Sequence, residues 1–149
     1  MYIGEGLVHN YDNVGFCWDS GHEQCYNRGK DMLGLYGSKL IATHLNDNLG
    51  ISDNEGRIFW TDDLHLLPFD GINDWKDIAI RLNRCGYNGI LTFELLNQSK
   101  PNRHDNDKYK KMSVEEYISE CYARACRVAT LMLRQGLTEN NKNIEGSER

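Results

Sequence analysis

Apolar segments of strand length alternate along this chain with segments of helical period, and that order leaves few folds open. Val14 to Trp18 is a short apolar run of the kind that forms a buried strand. Helical signals follow from Glu23 to Tyr36, with Met32, Leu33, Leu35 and Tyr36 as core candidates, although Gly29 and Gly34 weaken them. "SKLIATHLND" supplies a second strand, Lys39 to Leu45. "INDWKDIAIRLNRCGY" predicts an amphipathic helix, with Trp75, Ile78, Ala79 and Leu82 at spacings of three and four and Asn73 or Asp74 as its cap. "NGILTFELL" predicts a third strand, Gly89 to Leu95. "SVEEYISECYARACRVATLMLRQG" opens with the capping box Ser113…Glu116 and is expected to close at Gly136. Strand–helix alternation of this kind predicts a parallel sheet with right-handed crossovers, an α/β fold. The domain is expected over residues 1–136, with 137–149 as a polar, disordered tail.

The bulk numbers narrow the function. A length of 149 residues fits one domain with a real core. The net charge of −5 argues against a nucleic-acid partner. Five cysteines without a CxxC pair read as reduced thiols rather than a disulfide or zinc-finger framework. No apolar run approaches the roughly 18 residues of a membrane helix, and "MYIGEGLVHN" lacks the basic start and apolar centre of a signal peptide. A cytoplasmic location is the expectation.

The polar residues carry the chemistry. Asp19 stands at the carboxyl end of the first predicted strand, His44 near that of the second and Glu94 near that of the third. Parallel strands bring those ends to one rim, the face that holds the active site in α/β barrels. Each has a plain explanation: Asp19 as a helix cap, His44 as a core histidine bonded to a carbonyl, Glu94 as a structural carboxylate. Glu94, between Phe93 and Leu95, is the hardest to explain so, because burying a carboxylate unpaired is costly. His22 follows Asp19 closely, and the long polar loop from Asp47 to Gly71 adds Asp63 and His65 as an Asp-x-His pair. Carboxylates Asp19, Asp63 and Glu94 with imidazoles His22, His44 and His65 form an oxygen–nitrogen donor set suited to Zn²⁺, Mn²⁺, Co²⁺ or Fe²⁺. His9 and His104 lie in polar surroundings and are expected to face solvent.

"GFCWDSGHE", "THLNDN", "DLHLLPFDGINDW" and "GYNGILTFELL" resemble the C-terminal part of the xylose isomerase-like TIM barrels, from about Asn13 to Asn97. The resemblance implies a partial (β/α) barrel of about three parallel strand–helix units. It implies a divalent-metal-dependent sugar or sugar-phosphate isomerase/epimerase that moves a proton through an enediolate. On that reading Asp19, His44 and Glu94 hold one metal (Mn, Zn, Co, Mg or Fe), Glu94 is also an acid/base group, and His22 contacts substrate oxygens. In endonuclease IV-like members the positions matching His22, Asp63 and His65 are ligands too, within a three-zinc cluster that cleaves phosphodiesters. The superfamily's metal-binding glutamate on an earlier strand has no counterpart here, nor does the epimerase-like arginine soon after the strand-seven histidine, since Arg57 comes late. The fold typically needs about 250 residues, so the chain reads as the C-terminal piece of a longer protein. Its alternatives are a homodimer, pairing with a separate N-terminal half, or an inactive half-barrel.

Overall fold

The computed structural model describes residues 13–27 and 30–147, with side chains through residue 135. His9, expected above to face solvent, lies outside the described residues. Strand β1 (Phe16–Asp19) pairs in parallel with β2 (Leu40–His44), with Trp18 opposite Thr43 and Asp19 opposite His44. The parallel order agrees with the α/β expectation.

Among the described residues, two α-helices and a 3-10 turn (Gly37–Lys39), rather than one helix, lie between these strands. Helix α1 (Ser20–Tyr26) starts earlier than expected because the Asp19 carboxylate accepts from the His22 backbone N–H at 2.9 Å. Helix α2 (Met32–Tyr36) has its own cap, Asp31, whose carboxylate accepts from Gly34 N–H at 2.9 Å. A second capping carboxylate restarts the helix, so the single helix read from Glu23 to Tyr36 is corrected to two.

The third predicted strand is held more loosely. Leu45 N–H donates to Thr92 O at 2.8 Å and Glu94 N–H donates to Leu45 O at 3.1 Å, a single parallel bridge between Leu45 and Phe93. The backbone ladder does not continue towards Ile90. There Thr92 N–H donates to the Thr43 hydroxyl at 3.2 Å, so a side chain takes the place of a strand carbonyl. The described residues therefore form a two-stranded parallel sheet flanked by one bridged segment, rather than three full strand–helix units.

Helix α3 (Trp75–Arg84) is capped by Asp74, which accepts from Lys76 and Asp77 N–H at 3.0 Å each. Its apolar face, Trp75, Ile78 and Leu82, joins Trp18, Leu45 and Val128 in the main core. Helix α4 (Val114–Ser147) begins with the expected capping box, Glu116 N–H to Ser113 Oγ at 3.1 Å and Ser113 N–H to Glu116 Oε2 at 2.7 Å. It runs through Gly136 to Ser147 rather than closing at the glycine. A glycine inside a helix costs only about 1 kcal/mol, and with no proline beyond it the helix is free to continue. None of the described helices is long and apolar enough to cross a membrane.

The long loop after β2 folds back on itself. Asp47 and Leu66 exchange both backbone hydrogen bonds at 2.9 Å. Leu64, Leu66 and Leu67 then pack with Tyr109 in a second apolar cluster. Further along, Asp70 accepts from Lys108 Nζ at 2.9 Å, from Arg124 Nη1 at 2.7 Å and from the Tyr109 hydroxyl. Burial pushes the Asp70 carboxyl up, but Lys108, Tyr109 and Arg124 together hold it below the ordinary carboxylate range. A carboxyl depressed in the folded chain contributes stability that is complete above its unfolded pKa of about 3.9 and is lost as pH falls below that value. Asp70→Asn should therefore cost about 2 kcal/mol at pH 7 and flatten the fall in Tm below pH 5. Parallel Tm–pH curves for the two proteins would refute this role.

Candidate metal centre

The sheet ends deliver three of the predicted residues to one place. Asp19 closes β1, His44 closes β2, and Glu94 lies one residue beyond the bridge to Leu45. One ligand atom from each lies within 4.8 Å of the others. His44 Nδ1 is 2.9 Å from Glu94 Oε2. His44 is therefore not the core histidine of the plain reading; its side chain is 45 % exposed and meets a carboxylate. Nor is Glu94 a buried charge. Alternation along its segment turns Phe93 and Leu95 towards the cores and Glu94 outward, 49 % exposed, so the cost of burial never arises. The plain reading of Asp19 holds alongside the chemical one: Oδ1 caps α1 while Oδ2 is buried without a hydrogen-bond partner among the described residues.

The other three residues form a second group. His22 Nε2 and His65 Nε2 approach the same oxygen, Asp63 Oδ2, at 3.2 Å and 3.1 Å. Asp63 Oδ1 is buried without a hydrogen-bond partner among the described residues. Burial alone would raise the Asp63 carboxyl, but hydrogen bonds from both imidazoles hold it well below the usual range. The reciprocal effect raises His22, chiefly through the Asp63 hydrogen bond. Burial lowers His65, and Asp63 together with the Glu94 carbonyl more than compensates, so its net shift is upward. At Asp19 burial dominates and raises the carboxyl, against the pull of the His22 N–H and the Asn46 amide.

Two links join the groups. His22 bonds Asp19 through its backbone and Asp63 through its ring. His65 Nδ1 lies 2.9 Å from the Glu94 carbonyl oxygen, which leaves Nε2 for the centre. His65 does this with φ of 51°, a left-handed conformation that costs a non-glycine residue of order 1 kcal/mol or more and persists where surrounding structure imposes it. The donor chemistry fits a divalent ion. Each group offers carboxylate oxygen and imidazole nitrogen without thiolate, and each holds one buried carboxylate oxygen with no hydrogen-bond partner among the described residues.

A family model described as "Xylose isomerase-like TIM barrel" matches residues 6–114. The chain belongs to the xylose isomerase-like TIM-barrel family. It is 40 % identical over 122 residues to "Uncharacterized protein y4fM" of Sinorhizobium fredii (strain NBRC 101917 / NGR234), across 81 % of this chain and 33 % of that relative. The chain thus spans about a third of the relative's length. No solved structure matches it. Both groups of candidate ligands lie inside the xylose isomerase-like match, while α4 lies beyond it except for Val114.

Several residues around this centre escaped the sequence reading. Asn46 and Asp47 are fully buried and tie the β2 end to α1 and to the loop. Gly21 is required by that packing, since a Cβ there would fall 2.0 Å from Asn46 Oδ1. Arg103 reaches the buried Asp62 beside Asp63 at 2.8 Å. The available signal was the run Asn46-Asp47-Asn48 directly after a strand, where three polar side chains are costly unless each has a partner. Among the aromatic residues near the loop, Trp75 is core, Phe69 packs against it in a tilted arrangement with ring centroids 5.7 Å apart, and Trp60 is largely exposed.

Proposed function

We propose that this chain supplies metal ligands of a divalent-metal-dependent sugar or sugar-phosphate isomerase/epimerase. The observation that carries the reading is the meeting of Asp19, His44 and Glu94 at the ends of adjacent parallel segments, with Asp19 Oδ2 buried and without a hydrogen bond among the described residues. A divalent ion held there would polarise neighbouring carbonyl and hydroxyl oxygens of a sugar and acidify the C–H between them. Glu94 is the acid/base group on this chain: its carboxylate is open to solvent on one side and steadied by His44 Nδ1 on the other. On this reading His22, whose Nε2 is held by Asp63, would contact a substrate oxygen. The second acid/base carboxylate would come from another strand of the complete barrel. Partners for such completion, a longer polypeptide or a second copy, are supported by exposed Ile90 and by the apolar row Val114, Ile118, Tyr122 and Leu133 on α4.

A second reading, an endonuclease IV-like phosphodiesterase, draws support from the His22–Asp63–His65 group beside the first. Metal counting and isotope exchange separate the two. The isomerase reading expects one exchangeable metal per site. It also expects metal-dependent uptake of solvent deuterium into a ketose beside its carbonyl, measured on the longest polypeptide that contains this chain. About three tightly held zincs with cleavage of abasic DNA and no deuterium uptake would replace it with the nuclease.

A further inference from the structure

We propose that Asn46 is a positioning residue for Asp19, one that turns a single carboxylate oxygen towards the ion; this rests on the reading of Asp19 as a ligand. Asn46 follows the end of β2 by two residues and is fully buried. Its Nδ2 donates to Asp19 Oδ1 at 3.1 Å, and the His22 N–H donates to that same oxygen at 2.9 Å. Both bonds fall on Oδ1. Oδ2 is left buried without a hydrogen bond among the described residues, on the carboxylate whose ligand atom groups with those of His44 and Glu94.

The backbone of Asn46 is itself tied at both its N–H and its carbonyl. Asn46 N–H donates to Ser20 Oγ at 3.0 Å, and the Ser20 hydroxyl donates to Asn46 O at 2.7 Å. Asn73 Nδ2 adds a bond to the same carbonyl at 3.0 Å. Gly21 supplies the room the side chain occupies. Yet Asn46 Oδ1 has no hydrogen-bond partner among the described residues, and an unsatisfied buried amide oxygen costs about 1–3 kcal/mol. An apolar residue of that size would avoid the cost. What it could not do is fix the rotation of the Asp19 carboxylate, the task outer-shell partners perform for metal ligands.

The test is Co²⁺ titration of the 149-residue chain, read by visible absorption, with thermal melts of the metal-free proteins. Asn46→Ala and Asn46→Leu, the second filling the same volume, should weaken Co²⁺ binding about 10–100-fold and change the absorption band. Asn73→Ala, which removes one bond to the Asn46 carbonyl and none to Asp19, should lower the melting temperature while leaving Co²⁺ affinity near the parent value. A purely structural Asn46 would move melting temperatures alone, and parental affinity in either Asn46 variant overturns the proposal. Should neither variant fold, the parent chain still decides. Its Asn46 side-chain amide NMR signal should shift on addition of Zn²⁺, and an unmoved signal overturns the proposal. Asp19→Ala separates the layers: undiminished Co²⁺ binding there removes the ligand reading itself, whereas loss there with parental binding in the Asn46 variants removes only the positioning.

Discussion

Asp47→Ala should unfold most of the chain or lower its stability by about 6 kcal/mol or more. Asp47 is fully buried and accepts four hydrogen bonds, from Asn48 N–H and Phe69 N–H at 2.9 Å, Asn73 N–H at 3.0 Å and Trp75 Nε1–H at 2.9 Å. Hydrogen bonds to a charged acceptor contribute about 1.5–3 kcal/mol each, and buried donors left without a partner add their desolvation cost. Alanine would strand donors at both ends of the loop segment from Phe69 to Trp75, including the first residue of α3. Total stability of a domain is about 5–15 kcal/mol, so losing several such bonds consumes much of it. Gly71 belongs to the same construction: a Cβ there would lie 2.3 Å from both the Asn48 carbonyl oxygen and Asp47 Oδ1. Asp47→Asn, which keeps the shape but turns one acceptor into a donor facing N–H groups, should cost about half as much. Urea unfolding followed by tryptophan fluorescence checks the series, and an alanine variant with the parental midpoint would sink it.

The contrast between Asp47 and Glu94 explains how much the sequence revealed. Period and alternation showed where β1, β2, α3 and the start of α4 lie, because one face of each is apolar and caps such as Asp74 and Ser113 are local. They also brought Asp19, His44 and Glu94 to one rim, since parallel strands share a direction. Three things stayed hidden. The broken helix between the strands depended on Asp31 restarting it. The thin third strand depended on the Thr43 hydroxyl standing in for a carbonyl. The buried polar run Asn46-Asp47-Asn48 depended on partners about 20 or more residues away, at Ser20, Phe69 and Asn73. Glu94 was singled out for the wrong reason. One face of its segment is open, so a burial cost does not single it out. Pairing with His44, a long-range fact, is what marks it.

Removing either carboxylate of the first group should weaken divalent-metal binding about a hundredfold to a thousandfold. A four-ligand structural zinc site is held by on the order of 10–16 kcal/mol, so one ligand is worth about 3–4 kcal/mol, or two to three decades in Kd. The two variants should differ in stability. Asp19→Ala also removes the cap of α1, about 1 kcal/mol, and leaves the Asn46 amide without its acceptor. Glu94→Ala sits on the open face and loses only an exposed pair with His44, so its metal-free melt should stay near that of the parent. Glu94→Ala is therefore the sharper probe, because metal loss without loss of fold has no structural explanation. His104→Ala is the control. His104 is 86 % exposed and pairs with Asp107 at 2.8 Å, outside both groups. Isothermal titration with Mn²⁺ and Zn²⁺ should rank His104→Ala with the parent and the other two far below. Equal metal content in all three variants would mean that Asp19, His44 and Glu94 meet at the sheet end for packing and charge alone.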